Sequence, residues 1–468
     1  MTETWSKFSA FERLFADEAV PNNPVVITAC LTLSENPSET WLYSSLLPRI
    51  LAHPRFSARM VRRSTRYPYF ESVPGFTAES ELLKQYHVAL EPVIDLSLPH
   101  DKRNKLFQSR LSEIMSEDLD RYRPLWRLFF FPCWSIEASS CQEQSSTLVF
   151  RIHHTVADGI GLVKYLMSEV IDDNTGSNVK HLTTPHRHAQ EAGKHAGVRC
   201  EARLTKKSRW FPALQDFAAN LKTVFGTLRP ESDNAFVRSR LGGQKVCALL
   251  PPTMYTVDIL KKAARALGIT INDLFYTAVS GAVRAYLKEC GDDPNVLKGV
   301  RCGIPFTKHM VDEFRTTDVS NQLAMVTVPL HIHIDDRKDR LVECTHTMNV
   351  TKTGFAPGLV LTLLGVIARL PAFIRKPLWR LLTKSGSCLF TNVPGPRKEV
   401  SIGGIKIACI HFFAPADGHC GVIIALHSYN GKITSSVYGD KTRISDPQRL
   451  VELLNNEVSE LIKLSDVQ

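Results

Sequence analysis

The stretch STLVFRIHHTVADGIGLVKYLM, Ser146 to Met167, dictates a strand, a turn and a helix in that order. Leu148, Phe150, Ile152 and His154 share one face and Val149, Arg151 and His153 the other, the two-residue period of a pleated strand. Past Asp158-Gly159 the apolar period lengthens, and Leu162, Val163, Leu166, Met167 and Val170 make a helical stripe. The same alternation recurs along the chain. NPVVITACLTL, PLWRLFFFPCW, VRCGIPF and LAMVTVPLHIHI read as strands, while SETWLYSSLLPRILAH and DKRNKLFQSRLSEIMSEDL read as amphipathic helices. Two helices meeting near Asn272-Asp273 and a C-terminal helix from Ser445 add to these. GVIIALHSYNGKITSSVYGD predicts a hairpin, with Asn430-Gly431 supplying the positive φ of its turn. The expected class is α/β.

A chain of 468 residues is too long for one small core, and two domains of roughly 200 residues each are expected. Between Asp172 and Arg209 the sequence turns polar, basic and poor in large apolar residues, which predicts a linker. Its histidines, His181, His186, His188 and His195, have no fixed geometry and read as solvated rather than metal-binding. RWFPALQDFAANLKTVFGTL then puts Trp210, Phe211, Leu214, Phe217, Leu221, Val224, Phe225 and Leu228 on one helical face behind Lys206, Lys207 and Arg209. A membrane-surface helix and a helix packed on its own domain both satisfy that pattern. The expected organisation is an N-terminal domain over 1–180, a linker with a crossover helix over 181–240, and a C-terminal domain over 241–468.

The net charge of +10 favours an anionic partner: a membrane surface, a phosphorylated cosubstrate or nucleic acid. Eleven cysteines without a CxxC pair fit reduced thiols in a cytosol-facing protein. The longest uncharged stretch, Thr353 to Ala368, is too short to span a bilayer. It suits a buried core helix and a helix dipping into one leaflet equally.

The chemical content concentrates in His153-His154-Thr155-Val156-Ala157-Asp158-Gly159. Gly159-Ile160-Gly161 starts a dinucleotide fingerprint, but Lys164 stands where its third glycine belongs. No Walker-type phosphate loop, G-x-S-x-G elbow or HExxH occurs. Successive strand residues point to opposite faces, so His153 and His154 cannot easily share a metal ion, and none is expected. The pattern suits one functional histidine with a supporting carboxylate nearby, and equally two ordinary, partly buried side chains at a strand end. An imidazole of near-neutral pKa can take the proton of a hydroxyl as it attacks an activated acyl group.

RPLWRLFFF, FRIHHTVADGIGL, TINDLFYTAVSGAVRAYL and FTNVPGPRKEVSIGG, in that order, resemble the wax ester synthase/diacylglycerol acyltransferase family of HHxxxDG acyltransferases. The resemblance runs over nearly the whole chain outside the linker. It implies two chloramphenicol-acetyltransferase-like domains, each a mixed sheet with helices, around a central substrate tunnel. It further implies an O-acyltransferase that moves a long-chain acyl group from acyl-CoA, its cosubstrate, to a long-chain alcohol or diacylglycerol. No permanently bound cofactor and no nucleic acid are implied. The second motif histidine, His154, would be the general base. Asp158 would shape the loop through an arginine, with His153 and Gly159 supporting it. Asn272 would face the tunnel as an oxyanion donor, and Asp273 would cap its helix. Pro124, Leu125 and Trp126 would line or support the acyl pocket, and Asn392, Pro394 and Gly395 would form a rigid turn near the tunnel.

Two departures stand out. SAFE, Ser9 to Glu12, replaces the family's Ser-Pro-x-Asp, and IPFTKH, Ile304 to His309, replaces its Pro-x-Ser-x-Arg. The expected location is the cytosolic face of a membrane or a lipid droplet: endoplasmic reticulum in a eukaryote, plasma membrane in a bacterium. A catalytically silent lipid-binding protein and a condensation-type enzyme with another acceptor are the competing readings.

Overall fold

The computed structural model describes residues 5–18, 20, 22–62, 68–136, 145–172, 231–250, 255–307, 323–384, 386–416 and 418–466. The four linker histidines and the predicted helix over Trp210–Leu228 lie outside the described residues.

Two six-stranded mixed sheets carry the molecule. The first runs, in spatial order, Ser401–Ile402, Ile405–Phe413, Val26–Leu33, Ser146–His153, Trp126–Phe131 and Val88–Leu90. The second runs Leu323–Pro329, Arg301–Thr307, Cys388–Pro394, Val422–Tyr429, Lys432–Asp440 and Lys245–Leu250. A small antiparallel sheet joins Trp5–Lys7, Tyr69–Ser72 and Ala58–Val61. Every residue of Val26–Leu33 and of Ser146–His153 is buried. Both faces of the first sheet are therefore covered where those strands run, which explains how little the apolar content of NPVVITACLTL alternates.

The predicted hairpin forms, pairing Val422–Tyr429 with Lys432–Asp440 around Asn430 at φ 47° and Gly431 at φ 73°. The predicted helix pair forms as Val257–Leu267 and Ile271–Glu289, bent by 89°. Thr256 caps the first helix and Gly268, left-handed at φ 69°, ends it.

The boundary expected at residue 241 does not separate the two sheets. Ile405–Phe413, well inside the predicted C-terminal domain, pairs antiparallel with Val26–Leu33 in the first sheet. A second element ties the halves together: helix His100–Ser116 lies against the edge strand Lys245–Leu250. Ser112 and Ser116, one helical turn apart, accept from the backbone amides of Cys247 (3.1 Å) and Lys245 (2.8 Å). Those amides would otherwise be open donors on a sheet edge.

No single helix among the described residues is long and apolar enough to cross a membrane. The uncharged stretch becomes helix Ala356–Ile367. It is neither wholly buried nor wholly exposed: Val360, Leu364 and Ile367 face an internal cleft, while Val366 is 56% exposed.

Candidate active site

The histidine strand ends where its hydrogen bonding does. His153 N–H still bonds across to Leu125 O (2.9 Å), whereas His154 N–H turns to Val25 O (2.8 Å). Val156 N–H then closes a turn onto His153 O (2.9 Å). Asp158 caps helix Gly159–Tyr165, its Oδ1 accepting from Gly161 N–H at 2.6 Å. The Asp-Gly pair thus ends the loop and starts a helix. Arg55 donates to Val156 O (3.1 Å) and to Glu12 Oε1 (2.6 Å), tying the loop to the N-terminal helix Ala10–Asp17. Glu12, fully buried, also closes a capping box with Ser9. The acid of SAFE therefore has a structural task here.

The two histidines part as strand alternation requires. His153 points away from the cleft into a closed polar network. Its Nδ1 accepts from Thr155 N–H (3.2 Å), which leaves the proton on Nε2, and Nε2–H donates to Glu18 Oε1 (3.0 Å). Glu18 is in turn ion-paired with Arg121. Burial, then the positive charges of Arg121 and Arg62, push the His153 pKa down to about 3. It is a neutral ring with both nitrogens engaged.

His154 lies in the wall of a cleft of about 230 Å³ between the two sheets. Its ring packs against Phe15 with centroids 4.2 Å apart. The N-terminal helix adds Phe11 and Leu14; the helices Ala356–Ile367 and Ala372–Leu382 add Val360, Leu364, Ile367 and Trp379. From the sheets come Met325, Leu389, Asn392 and Phe412. One imidazole with a few polar groups in an apolar cleft suits a small reacting centre on a long apolar substrate.

Gly159 and Pro394 also line the cleft. A Cβ on Gly159 would meet the Phe412 ring at 3.4 Å. Asn392 reaches across from strand Cys388–Pro394 and donates through Nδ2 to Asn272 Oδ1 (2.8 Å) at the first turn of Ile271–Glu289. Asn272 is exposed, so it meets the cleft through Asn392 rather than as a wall residue. Asp273 forms a capping box with Thr270 and an ion pair with Lys352 (2.6 Å). Asn392 and Pro394 are strand residues rather than part of a free turn. Gly395 follows, where a Cβ would stand 2.5 Å from Ser428 O and 2.6 Å from His427 Nε2.

Pro124, Leu125 and Trp126 lie elsewhere. All three are buried behind the histidine strand, and Trp126 Nε1–H donates to Phe56 O (2.7 Å). They support the sheet that holds the histidines and are not cleft lining, as the burial of Trp126 between Phe76, His87 and Phe150 shows. Glu18, Arg55 and Phe15 are the site residues without a sequence signal. Their partners lie 135 and 101 residues away for Glu18 and Arg55, and Phe15 matters only through the cleft. Among the described residues no three His, Cys, Asp or Glu side chains converge as metal ligands.

Two mixed sheets, the first completed by a strand from the second half of the chain, with a histidine-ended central strand facing the cleft between them, define the class of HHxxxDG transferase folds. A solved wax ester synthase/diacylglycerol acyltransferase from Marinobacter aquaeolei superimposes with a TM-score of 0.64 at 15% identity, covering 98% of this chain and 100% of that one. In sequence, residues 14–275 match the profile of the wax ester synthase/diacylglycerol acyltransferase catalytic domain, and 319–462 that of the WS/DGAT C-terminal domain. The chain belongs to this family and is an acyltransferase. Among its relatives, a Mycobacterium tuberculosis protein named as a probable diacylglycerol O-acyltransferase is 23% identical over 92% of this chain and 89% of its own length. The O-acyltransferase WSD of Acinetobacter baylyi is 23% identical over 78% and 79%.

Proposed function

We propose that the chain transfers a long-chain acyl group from acyl-CoA to the hydroxyl of a long-chain alcohol or of diacylglycerol, with His154 as general base. The observation that carries this reading is the division of labour between the histidines. His153 is neutral with both nitrogens bonded, while His154 faces an apolar cleft from the same loop. His154 takes the proton of the acceptor hydroxyl as its oxygen attacks the thioester carbonyl. The tetrahedral intermediate collapses to ester, and the proton passes from His154 to the departing CoA thiolate. Asn392, held by Asn272, is the side-chain amide in the cleft wall suited to the oxyanion. Site of action, on this reading, is a membrane or lipid-droplet surface where both substrates reside.

The test offers purified protein labelled palmitoyl-CoA with hexadecanol or diacylglycerol. Wild type forms ester, and His154→Ala loses roughly 10²–10⁴-fold in rate. Undiminished ester from the variant would remove His154 from the base role. Wild type that binds lipid but forms no ester with either acceptor would return the silent lipid-binding reading.

A further inference from the structure

Helices Ala356–Ile367 and Ala372–Leu382 wall the cleft with one face and expose the other. Thirteen large apolar side chains are prominently exposed among the described residues, and six fall between 355 and 381: Phe355, Leu363, Val366, Phe373, Ile374 and Leu381. Phe373 is 78% exposed, far from ordinary for a phenylalanine in a helix. Within each helix the spacings of eight, three and seven residues set them on one side. Leu363 belongs to both surfaces, since it is 43% exposed and also lines the cleft. The apolar exterior is thus continuous with the interior that holds His154.

Charge on this element is one-sided. From Gly354 to Lys398 there is no Asp or Glu, although 47 acids in 468 residues would put about four or five in such a stretch. Seven Lys and Arg lie in it. Arg375 is buried against Asp17 and fastens the second helix to the N-terminal helix of the cleft (2.6 Å). Arg369, Lys376, Arg380 and Lys384 are exposed around the apolar side chains. The helices have 12 and 11 residues, so they are about 18 and about 16 Å long at ~1.5 Å per residue, well short of the ~30 Å core of a bilayer.

We infer that this helix pair docks the protein onto an anionic phospholipid bilayer, lying in the headgroup boundary and opening the cleft toward the lipid. The inference rests on the membrane site of action of the proposed function and names the surface that would meet it; docking needs no turnover, so the two fail separately. A protein partner would be expected to leave acids and cations mixed on the patch, and an anionic surface explains their segregation.

The full chain is sedimented with phosphatidylcholine vesicles with and without phosphatidylglycerol. Binding is expected to be stronger with the anionic lipid and to weaken with salt. Phe373→Ser, Ile374→Ser and Leu381→Ser combined should reduce it roughly tenfold or more. Lys376→Glu with Arg380→Glu should cost about fivefold per cation on anionic vesicles and little on neutral ones. None of these side chains lines the cleft, so esterification of a detergent-dispersed acceptor should persist in both variants. His154→Ala should bind like wild type, which separates docking from catalysis. Equal binding to neutral and anionic vesicles, or unchanged binding by the triple variant, overturns the inference. So does self-association through this face without vesicle binding, seen by sedimentation velocity, which would make it a protein interface.

Discussion

Neighbouring histidines can differ completely in chemistry when a strand places them on opposite faces. Alternation over Leu148 to His154 already separates the pair in the sequence. What it cannot supply is Glu18, whose carboxylate arrives from a turn residue with φ 41° and holds the Nε2–H of His153. No local pattern marks such a residue, since only the fold brings it near. Glu18→Ala should cost about 2–4 kcal/mol in stability, because it strands a buried Nε2–H and unpairs Arg121. Glu18→Gln keeps an acceptor for the imidazole and should cost less. Chemical denaturation of the two variants reads this difference. His153→Ala should likewise lower stability, but reduce the transfer rate much less than His154→Ala does in the same assay. Equal rate losses would mean that His153 acts on the substrates.

At the scale of elements, local signals carried far. Each predicted strand named above has an observed counterpart, because burial on both faces or alternation on one writes itself into short windows. The hairpin was legible from Asn430-Gly431, and the helix pair from its turn. Ile405–Phe413 was not, because its partner Val26–Leu33 is remote in sequence and any sheet edge would satisfy its amides. The roles of Asn392 to Gly395 divide along the same line. The motif is visible, but whether a side chain lines a cleft depends on what packs across from it. Gly395 has a sharper reason for its identity. A Cβ there would press on the backbone oxygen of Ser428, which the paired strand cannot move aside. Gly395→Ala should therefore destabilise by about 2–4 kcal/mol. A lower urea midpoint with unchanged m would show it. Gly358→Ala is the contrast, since its Cβ would meet nothing within 4 Å in an exposed helical turn. It should be neutral or stabilise by up to about 1 kcal/mol.

The whole molecule is held together by crossings between the sheets, and one of these is made by a buried histidine, one of several that bear on its acid stability. His411 sits on the strand that the second half of the chain lends to the first sheet. Its Nε2–H donates to Leu250 O (2.5 Å) on the edge strand of the second sheet. His427, on the strand Val422–Tyr429 of the second sheet, is buried near enough to His411 that a charge there disfavours its own. His87 is buried under Trp126, donating to its carbonyl oxygen (2.8 Å). Burial pushes each of the three down to about 4 from an ordinary 6.5. Between those values the unfolded chain binds more protons than the folded one. The stability these histidines support is present in full above pH 6.5 and drains away as the pH falls toward 4. Each group contributes a slope of up to about 1.4 kcal/mol per pH unit, so the three together should give roughly 3–4 kcal/mol per unit near pH 5. Urea unfolding at a series of pH values measures the total slope, to which His153 and His331, pushed by burial down to about 3 and about 4, add. His411→Gln should flatten the slope by up to about 1.4 kcal/mol per pH unit, the share of one group, its amide able to keep a donor for Leu250 O without gaining charge. A slope that the substitution leaves unchanged would place the proton uptake elsewhere in the fold and exempt the junction of the sheets from acid unfolding.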